Sequence, residues 1–258
     1  MISSHEKRRY WDLLCYKVYV EIKTELSMSF LGILWWFIEP VIYLMAFYTI
    51  FAIGFKQSEN DYVFFLLLGL ISWKWFSASV LSSTKAIETH MNIIQQVYFP
   101  KLLLTITVLC SNTLKFFMVF LVFIFLFIIT GHTFTKHLIA LPLIFILQFL
   151  WTAAIAGLCS SITPLFPDIK LLVHHSMIIL MFSSGIYFNI SKLSEDIQIL
   201  FYLNPMAVII ESYRDILINQ QWPNWGYLSI VSISSLIVLL ITVQVFNYFD
   251  RQYAKVFT

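Results

Sequence analysis

Six long apolar stretches constrain this chain more than any other feature of its sequence. A helix needs roughly 20 residues to cross about 30 Å of hydrocarbon, and stretches of about that length recur along the 258 residues. They are residues 31–55, 62–81, 102–130, 138–162, 171–188 and 227–246. Their apolar runs are continuous, whereas the strands of membrane barrels alternate apolar and polar residues. The pattern therefore predicts an all-α integral membrane protein with six transmembrane helices in residues 31–258.

The composition agrees with a surface that faces lipid. Hydrophobic residues make up 60% of the chain and charged residues only 12%, about half of the roughly 25% typical of a soluble domain. The net charge of +2 forms no basic patch of the kind that binds nucleic acid. The three cysteines form no close pair and the adjacent histidines point apart on a helix, so we expect neither a disulfide framework nor a metal site.

Lysine and arginine placement sets the expected orientation, because cytoplasmic segments of membrane proteins are enriched in both. With the N-terminus inside, ten basic residues fall on cytoplasmic segments and four on outer ones. The four outer residues are Lys56, Lys136, Lys192 and Arg214. This asymmetry predicts six spans with both termini in the cytoplasm.

Residues 1–30 are amphipathic and not apolar enough to span. Their apolar residues fall on one side of a helix, which predicts a helix lying in the cytoplasmic membrane interface. That side comprises Tyr10, Trp11, Leu14, Cys15, Val18 and Ile22. An ordinary cytosolic helix is the alternative.

The stretch 190–220, before the last span, is too apolar for an irregular loop. Ile197–Leu203 and Met206–Ile218 read as two short helices broken at Asn204-Pro205, because proline disfavours helix at the residue before it. Both are too short to span. We therefore expect a re-entrant or surface-lying pair on the outer face.

Three ionisable residues lie inside the predicted spans: Glu39, Lys74 and Lys115. Charge within a membrane is costly and usually marks a functional path or a paired group. The lysines could face a polar path or an anionic cargo. Alternatively, each snorkels to the interface or pairs, Glu39 being one candidate partner.

Aromatic residues cluster around two of these charges. Trp35 and Trp36 precede Glu39, and Trp73 and Trp75 flank Lys74. Flat rings with a polar handle could line a path for a sugar chain. An interface belt or simple packing accounts equally for any single ring.

The sequence contains no GxxxxGK[ST] phosphate loop, no HExxH and no GxSxG motif. The sequence therefore lacks the motif by which a phosphate loop binds nucleotide. It also lacks these motifs of metallopeptidases and serine hydrolases. We therefore expect no nucleotide site of this kind and no cofactor in the chain itself.

Several short motifs follow one another in a familiar order. They are Ser29 to Trp35 with Glu39-Pro40, Gly69 to Trp73, Val97 to Lys101, and Asn204-Pro205 followed by Tyr213-Arg214. Together they resemble the membrane subunits of ABC type-2 exporters over nearly the whole chain. Within that group the chain looks most like permeases for lipid-linked O-antigen, capsule or teichoic-acid polysaccharide, and the third and fourth motifs favour O-antigen.

The resemblance implies a transport subunit rather than an enzyme. It implies a homodimer in the bacterial inner membrane with two copies of a separate ATPase, which would carry ATP and Mg. It implies a lipid-pyrophosphate-linked glycan as cargo. The implied cargo path comprises Trp35, Trp36, Tyr43, Trp73, Lys74 and Trp75. The implied cytoplasmic gate region comprises Leu31, Gly32, Glu39 and Pro40. The implied ATPase-coupling residues are Tyr10, Trp11, Leu14, Val18, Asn92, Gln95, Tyr98 and Lys101.

Two other functions stay open on the sequence alone. A small-molecule or drug exporter of the same superfamily would share the membrane architecture. A carrier that is not coupled to ATP is also compatible with the hydropathy pattern, although one carboxylate within the spans is few for a proton or sodium relay.

Overall fold

Regular structure is entirely helical in the computed structural model, which describes residues 4–28, 30–49, 61–89 and 101–249. The α-helices of these ranges are α1 (Ser4–Ser27), α2 (Trp35–Tyr48), α3 (Tyr62–Thr89), α4 (Lys101–Ile129), α5 (Leu141–Ile162), α6 (Ile169–Phe182), α7 (Glu195–Tyr202), α8 (Pro205–Leu217) and α9 (Trp225–Phe249). Short 3-10 turns at Gly32–Leu34, Lys136–Ala140 and Ile190–Lys192 precede α2, α5 and α7. The prediction of an all-α membrane protein is confirmed.

Four helices in the described ranges are long and apolar enough to cross a membrane. They are Tyr62–Thr89, Lys101–Ile129, Lys136–Ile162 and Trp225–Phe249. A fifth crossing arises if Tyr10–Ser27 and Gly32–Tyr43 form one broken span, but these segments meet at a 93° bend. Such a bend fits an interface helix that turns into a span, or a re-entrant loop. The count of six spans therefore stays a prediction.

Two predicted spans are shorter as helices than their apolar runs. Helix α2 has 14 residues, and the end of its run at residues 50–55 lies outside the described ranges. Helix α6 also has 14 residues, about 21 Å at a rise of 1.5 Å per residue. That length falls short of the hydrocarbon core.

The predicted fifth span, 171–188, is interrupted at its C-terminal end. Helix α6 stops at Phe182, and Gly185 takes a φ of +65°, a conformation that glycine adopts without steric cost. A Cβ at Gly185 would lie 2.6 Å from Ile190 Cδ1. Ile190 thus lies so close to the turn that a side chain at Gly185 would clash with it. The length of the apolar run does not show this interruption.

Helix α3 is the centre of the bundle. In the membrane-crossing stretch of α3, 72% of the residues are buried, against at most 39% in the other three long helices. It packs against α2, α4, α5, α6 and α8. Helix α5 packs closely on α9, where Gly157 approaches Thr242 and the Thr242 hydroxyl donates to Ala154 O at 3.1 Å. Small residues commonly allow this kind of approach between membrane helices.

The two short helices before the last span are separated at Leu203-Asn204. The Asn204 side chain accepts a hydrogen bond from Met206 N at 3.0 Å and caps α8. Pro205 occupies the first turn of α8, where its missing N–H costs nothing. Local sequence chemistry therefore accounts for the break.

Candidate functional site

An ion pair joins the charges of the first two apolar stretches. The Lys74 ammonium on α3 donates to the Glu39 carboxylate on α2. Both side chains keep part of their surface exposed. Of the two arrangements that the sequence left open for Lys74, the structure contains the pairing with Glu39. Pairing compensates both charges, so an anionic cargo would compete with Glu39 for this lysine.

A second ion pair connects the N-terminal helix to α4. The Lys115 ammonium contacts the Glu25 carboxylate, and the Trp36 indole donates to the other oxygen of Glu25 at 3.2 Å. The Lys115 ammonium also lies 5.8 Å from the centre of the Trp36 ring, within the range of a cation–π contact. Trp36 therefore bridges the two charges of this pair.

Sequence reasoning missed this second pair, although a signal was present. Ser111 Oγ donates to Glu21 Oε2 at 3.2 Å one turn away from Lys115 and Glu25. Glu21 and Glu25 are four residues apart on α1, and Ser111 and Lys115 are four apart on α4. Equal i,i+4 spacing places each set on one helix face. Matching the two sets would have indicated that α1 packs along α4.

Two clefts lie beside the Lys74–Glu39 pair. Tyr43, Trp73 and His174 line a cleft of about 230 Å³ together with the pair. Trp36, Trp75 and Lys115 line another of about 300 Å³, again together with the pair. The pair therefore forms a wall common to both. The structure thus brings together five of the six residues predicted for the cargo path.

The remaining path residue and the tryptophans of α3 differ in their surroundings. Trp35 lines neither cleft and is exposed. Trp73 and Trp75 are both buried, and Trp75 stacks on Phe116 at 4.2 Å between ring centres. For Trp75, packing in the core is thus the dominant contact.

The predicted gate residues lie around the bend between α1 and α2. Gly32 opens the 3-10 turn with a φ of +50°, a conformation that favours glycine. Leu31 beside it is exposed. Glu39 belongs to the ion pair, and Pro40 lies within the range of α2, although its side chain is outside the described residues. The gate role of these residues stays a prediction.

The predicted coupling residues divide into three groups. Tyr10, Trp11, Leu14 and Val18 lie on α1, which packs against α4. Asn92, Gln95 and Tyr98 lie outside the described residues. Lys101 begins α4 with its side chain buried. A buried side chain is poorly suited to contact a docked partner. The other three coupling residues predicted for this segment lie before Lys101.

Trp11 and Val18 allow the role of α1 to be tested, because their exposures differ. Trp11 is 65% exposed and Val18 8%. We expect Trp11→Asp to leave the melting temperature of the purified chain nearly unchanged, since exposed substitutions usually change stability within about 0.5 kcal/mol. The ATPase that the sequence resemblance implies should then co-purify in about tenfold lower yield, because a carboxylate replaces the indole at the predicted contact. Val18→Asp should instead destabilise the chain itself, since it buries an unpaired charge.

Tyr16 provides a matched control for this experiment. It is 66% exposed on α1 but belongs to a different side of the helix from the predicted coupling residues. Tyr16→Asp should retain both stability and the ATPase. Equal yields of ATPase from the Trp11 and Tyr16 variants would show that Trp11 has no docking role.

Arg214 has a structural role that the sequence did not indicate. The charge pattern counts it among the basic residues of the outer segments, and in the structure it is only 1% exposed. Its guanidinium donates to Gly185 O at 2.8 Å, Ile186 O at 2.9 Å and Phe65 O at 3.2 Å. It also lies 3.4 Å from the centre of the Phe65 ring. Arg214 therefore ties α8 to α3 and to the turn after α6.

The ionisation of Arg214 follows from its burial. Desolvation lowers the pKa of Arg214 to about 10, and the neighbouring Glu211 carboxylate opposes that shift. Burial also raises the pKa of Glu211, with Arg214 as the main opposing influence. Because the pKa of Arg214 remains well above neutral pH, the guanidinium keeps its charge and its hydrogen bonds there.

Comparison with known proteins gives a consistent family. A family model described as ABC-2 type transporter matches residues 14–218. The O-antigen export system permease protein RfbA of Myxococcus xanthus is 25% identical over 252 residues, which cover 97% of each chain. Two proteins of the same name from Klebsiella pneumoniae are 25% and 26% identical over 247 residues, covering 95% of each chain.

Proposed function

Because the chain belongs to the ABC-2 type transporter membrane family, we propose that it is the permease subunit of an ATP-driven exporter of lipid-linked polysaccharide, O-antigen in particular. The observation that carries this proposal is the alignment with three O-antigen export permeases over at least 95% of each chain. An alignment of that extent covers nearly the whole helical bundle. The resemblance read from the short motifs is confirmed at the level of the family.

The proposed assembly is a homodimer in the bacterial inner membrane, with both termini in the cytoplasm and two copies of an ATPase subunit. ATP and Mg are assigned to that partner because the sequence has no phosphate loop. The amphipathic helix α1 supports the assignment of a cytoplasmic docking surface. Its exposed Trp11 and its ion pair to α4 would connect such a surface to the membrane helices.

The proposed cargo path follows the two clefts beside Lys74 and Glu39. A glycan presents hydroxyl groups and apolar ring faces, and its lipid end carries a pyrophosphate. Tyr43 and Trp36 offer aromatic surface for the sugar rings. Lys74 and Lys115 offer cations. Each lysine would release its carboxylate partner, Glu39 or Glu25, and pair with a phosphate of the cargo instead. Within a membrane such an exchange is favourable only if every charge finds a partner at each stage.

Deletion and reconstitution together test the proposed function. Cells lacking the chain should lose surface polysaccharide and accumulate the lipid-linked glycan in the inner membrane. The purified chain should hydrolyse no ATP above background, and co-expression with its ATPase should give hydrolysis and ATP-dependent glycan transfer into vesicles. A hydrophobic dye serves as the control cargo. Transport of the dye with normal surface polysaccharide in the deletion strain would contradict the proposal and favour a drug exporter.

A further inference from the structure

A polar cavity that shares no lining residue with the two clefts lies where α7, α8 and the start of α9 meet. Its volume is about 360 Å³. Three aromatic rings and a set of carboxylate and carboxamide groups line it, chiefly Tyr202, Trp222, Tyr227, Asp215, Asn219 and Gln221. None of these residues belongs to the predicted path, gate or coupling sets. A separate role is therefore open for this cavity.

The aromatic wall of the cavity is held in place by ring contacts. Tyr202 and Tyr227 stack with 4.7 Å between ring centres and 29° between planes. Trp222 meets His137 edge to face at 4.9 Å. Trp222 nevertheless keeps 46% of its surface exposed. An exposed indole fixed by a neighbour offers a rigid apolar face at little cost in conformational entropy.

The polar wall is also ordered before any ligand arrives. Asp215 Oδ1 accepts hydrogen bonds from Asn219 Nδ2 at 3.0 Å and from Gln221 Nε2 at 2.7 Å. Gln221 N donates to Asp215 O at 2.8 Å, and Gln220 between them takes a left-handed φ of +53°. Non-glycine residues in this conformation store strain and recur at ligand sites. The fixed carboxylate and carboxamides form a preorganised set of hydrogen-bonding groups.

We infer that this cavity binds a neutral sugar residue of the exported glycan, an inference that rests on the proposed function for the identity of the polymer. A pyranose has apolar C–H faces that pack on aromatic rings and hydroxyl groups that donate to carboxylates and exchange hydrogen bonds with carboxamides. Both kinds of surface meet here within one cavity, and its size suits a single sugar ring better than a whole chain.

Other ligand classes match the lining less well. An anion would face the Asp215 carboxylate, which lines the cavity, and like charges repel. No cluster of three acidic, histidine or cysteine ligands for a metal ion occurs among the described residues. A purely apolar compound would leave the fixed polar groups desolvated without partners.

The position of the cavity suits a sugar that has crossed the membrane. Gln220 Nε2 donates to Thr133 O at 3.3 Å in the turn after α4, and His132 of that turn contacts Asp61 at the start of α3. The cavity therefore lies at the end of the bundle where α3 and α9 begin and α4 ends. In the proposed orientation this end is the outer face, so the site would hold sugar units that emerge from the path.

Saturation-transfer NMR on the full chain in phospholipid nanodiscs, without glycoside detergents, tests the inference. The probes are the methyl glycosides of glucose, galactose, mannose, rhamnose and N-acetylglucosamine. We expect at least one probe to bind, and Trp222→Ala and Asp215→Asn each to weaken its affinity by about tenfold or more. Tyr16 is the control, because its ring is 66% exposed on α1 and does not line the cavity. Tyr16→Ala should bind the probe as the wild type does.

The outcomes separate this inference from the proposed function, because probe binding needs neither the ATPase nor transport. Melting temperatures equal to that of the wild type identify variants that are folded, and Asp215→Asn, which keeps the side-chain size, serves if Trp222→Ala is unstable. Absence of binding by all five probes, or equal weakening by the Trp222 and Tyr16 substitutions, overturns the inference even if glycan export is demonstrated. Site-specific binding without glycan export would support the sugar site and contradict the proposed function.

Discussion

Replacing Lys74 by methionine is expected to lower the surface polysaccharide to about a tenth of the wild-type amount or less. The substitution keeps the length of the side chain and removes its charge. Glu39, which pairs with Lys74 in the structure, would then remain as an unpaired carboxylate beside both clefts. An unpaired charge within a membrane helix costs at least about 2.5 kcal/mol on insertion scales. Immunoblotting of surface glycan, normalised to the membrane level of the variant, measures the effect.

A double-mutant cycle separates a structural role of this pair from a role in transport. Glu39→Gln alone should lower the melting temperature much as Lys74→Met does, because it also leaves one charge of the pair without its partner. The double variant Lys74→Met/Glu39→Gln leaves no unpaired charge, so we expect its membrane level and melting temperature to recover. Its export should stay low, because the cation that we assign to the passage of the pyrophosphate is still missing.

Lys136 supplies a matched control for the cycle. It lies in the short turn before α5, is exposed and belongs to no predicted site. Lys136→Met should export normal amounts of glycan. If the double variant at Lys74 and Glu39 also exports normal amounts, the pair serves only to hold α2 against α3, and the cargo path does not depend on its charge.

Arg214→Leu is expected to destabilise the protein more than the loss of either charge of the Lys74–Glu39 pair. The carbonyl oxygens of Gly185 and Ile186 would lose a donor, and Phe65 O would keep only its hydrogen bond within α3. Each buried unsatisfied carbonyl costs about 1–3 kcal/mol, and breaking a buried charged network costs roughly 3–5 kcal/mol. In a chain of this size such a loss lowers the melting temperature by on the order of 10 °C. Fluorescence-detected size-exclusion chromatography after a temperature series measures it.

Lysine should not rescue this position. A guanidinium reaches carbonyl oxygens with two nitrogens and stacks its plane on the Phe65 ring, whereas an ammonium is a single point of donation. Arg214→Lys should therefore lose most of the same stability. Arg8→Leu, on the exposed side of α1, controls for the general loss of an arginine. A melting temperature of Arg214→Leu equal to that of Arg8→Leu would show that the three hydrogen bonds contribute little.

The approach of Arg214 to its carbonyl partners depends on Gly69. A Cβ at Gly69 would lie 2.9 Å from Arg214 Nη2 and 3.3 Å from Ile186 Cγ2. The absence of a side chain there lets the guanidinium lie directly against α3. Gly69 also belongs to one of the short motifs that carried the family resemblance, which gives that motif a physical reason in this chain.

The class of the fold followed from the sequence because its signals are local. Continuous apolar runs of about 20 residues require helices in a bilayer, since each helix satisfies its own backbone hydrogen bonds. The break between α7 and α8 was equally local: Asn204 caps α8 and Pro205 begins it. The family resemblance also came from short motifs read in order along the chain. None of these features depends on which helices become neighbours.

Tertiary structure alone decided which charges meet. Lys74 and Glu39 are 35 residues apart, Lys115 and Glu25 are 90 apart, and Arg214 and Phe65 are 149 apart. Helical periodicity gives the face on which a residue lies but not the helix that packs against that face. The pairing of Lys74 could thus be named only as an alternative, and the burial of Arg214 was missed. Because desolvation makes buried charges dependent on such distant partners, their roles were set by packing rather than by sequence position.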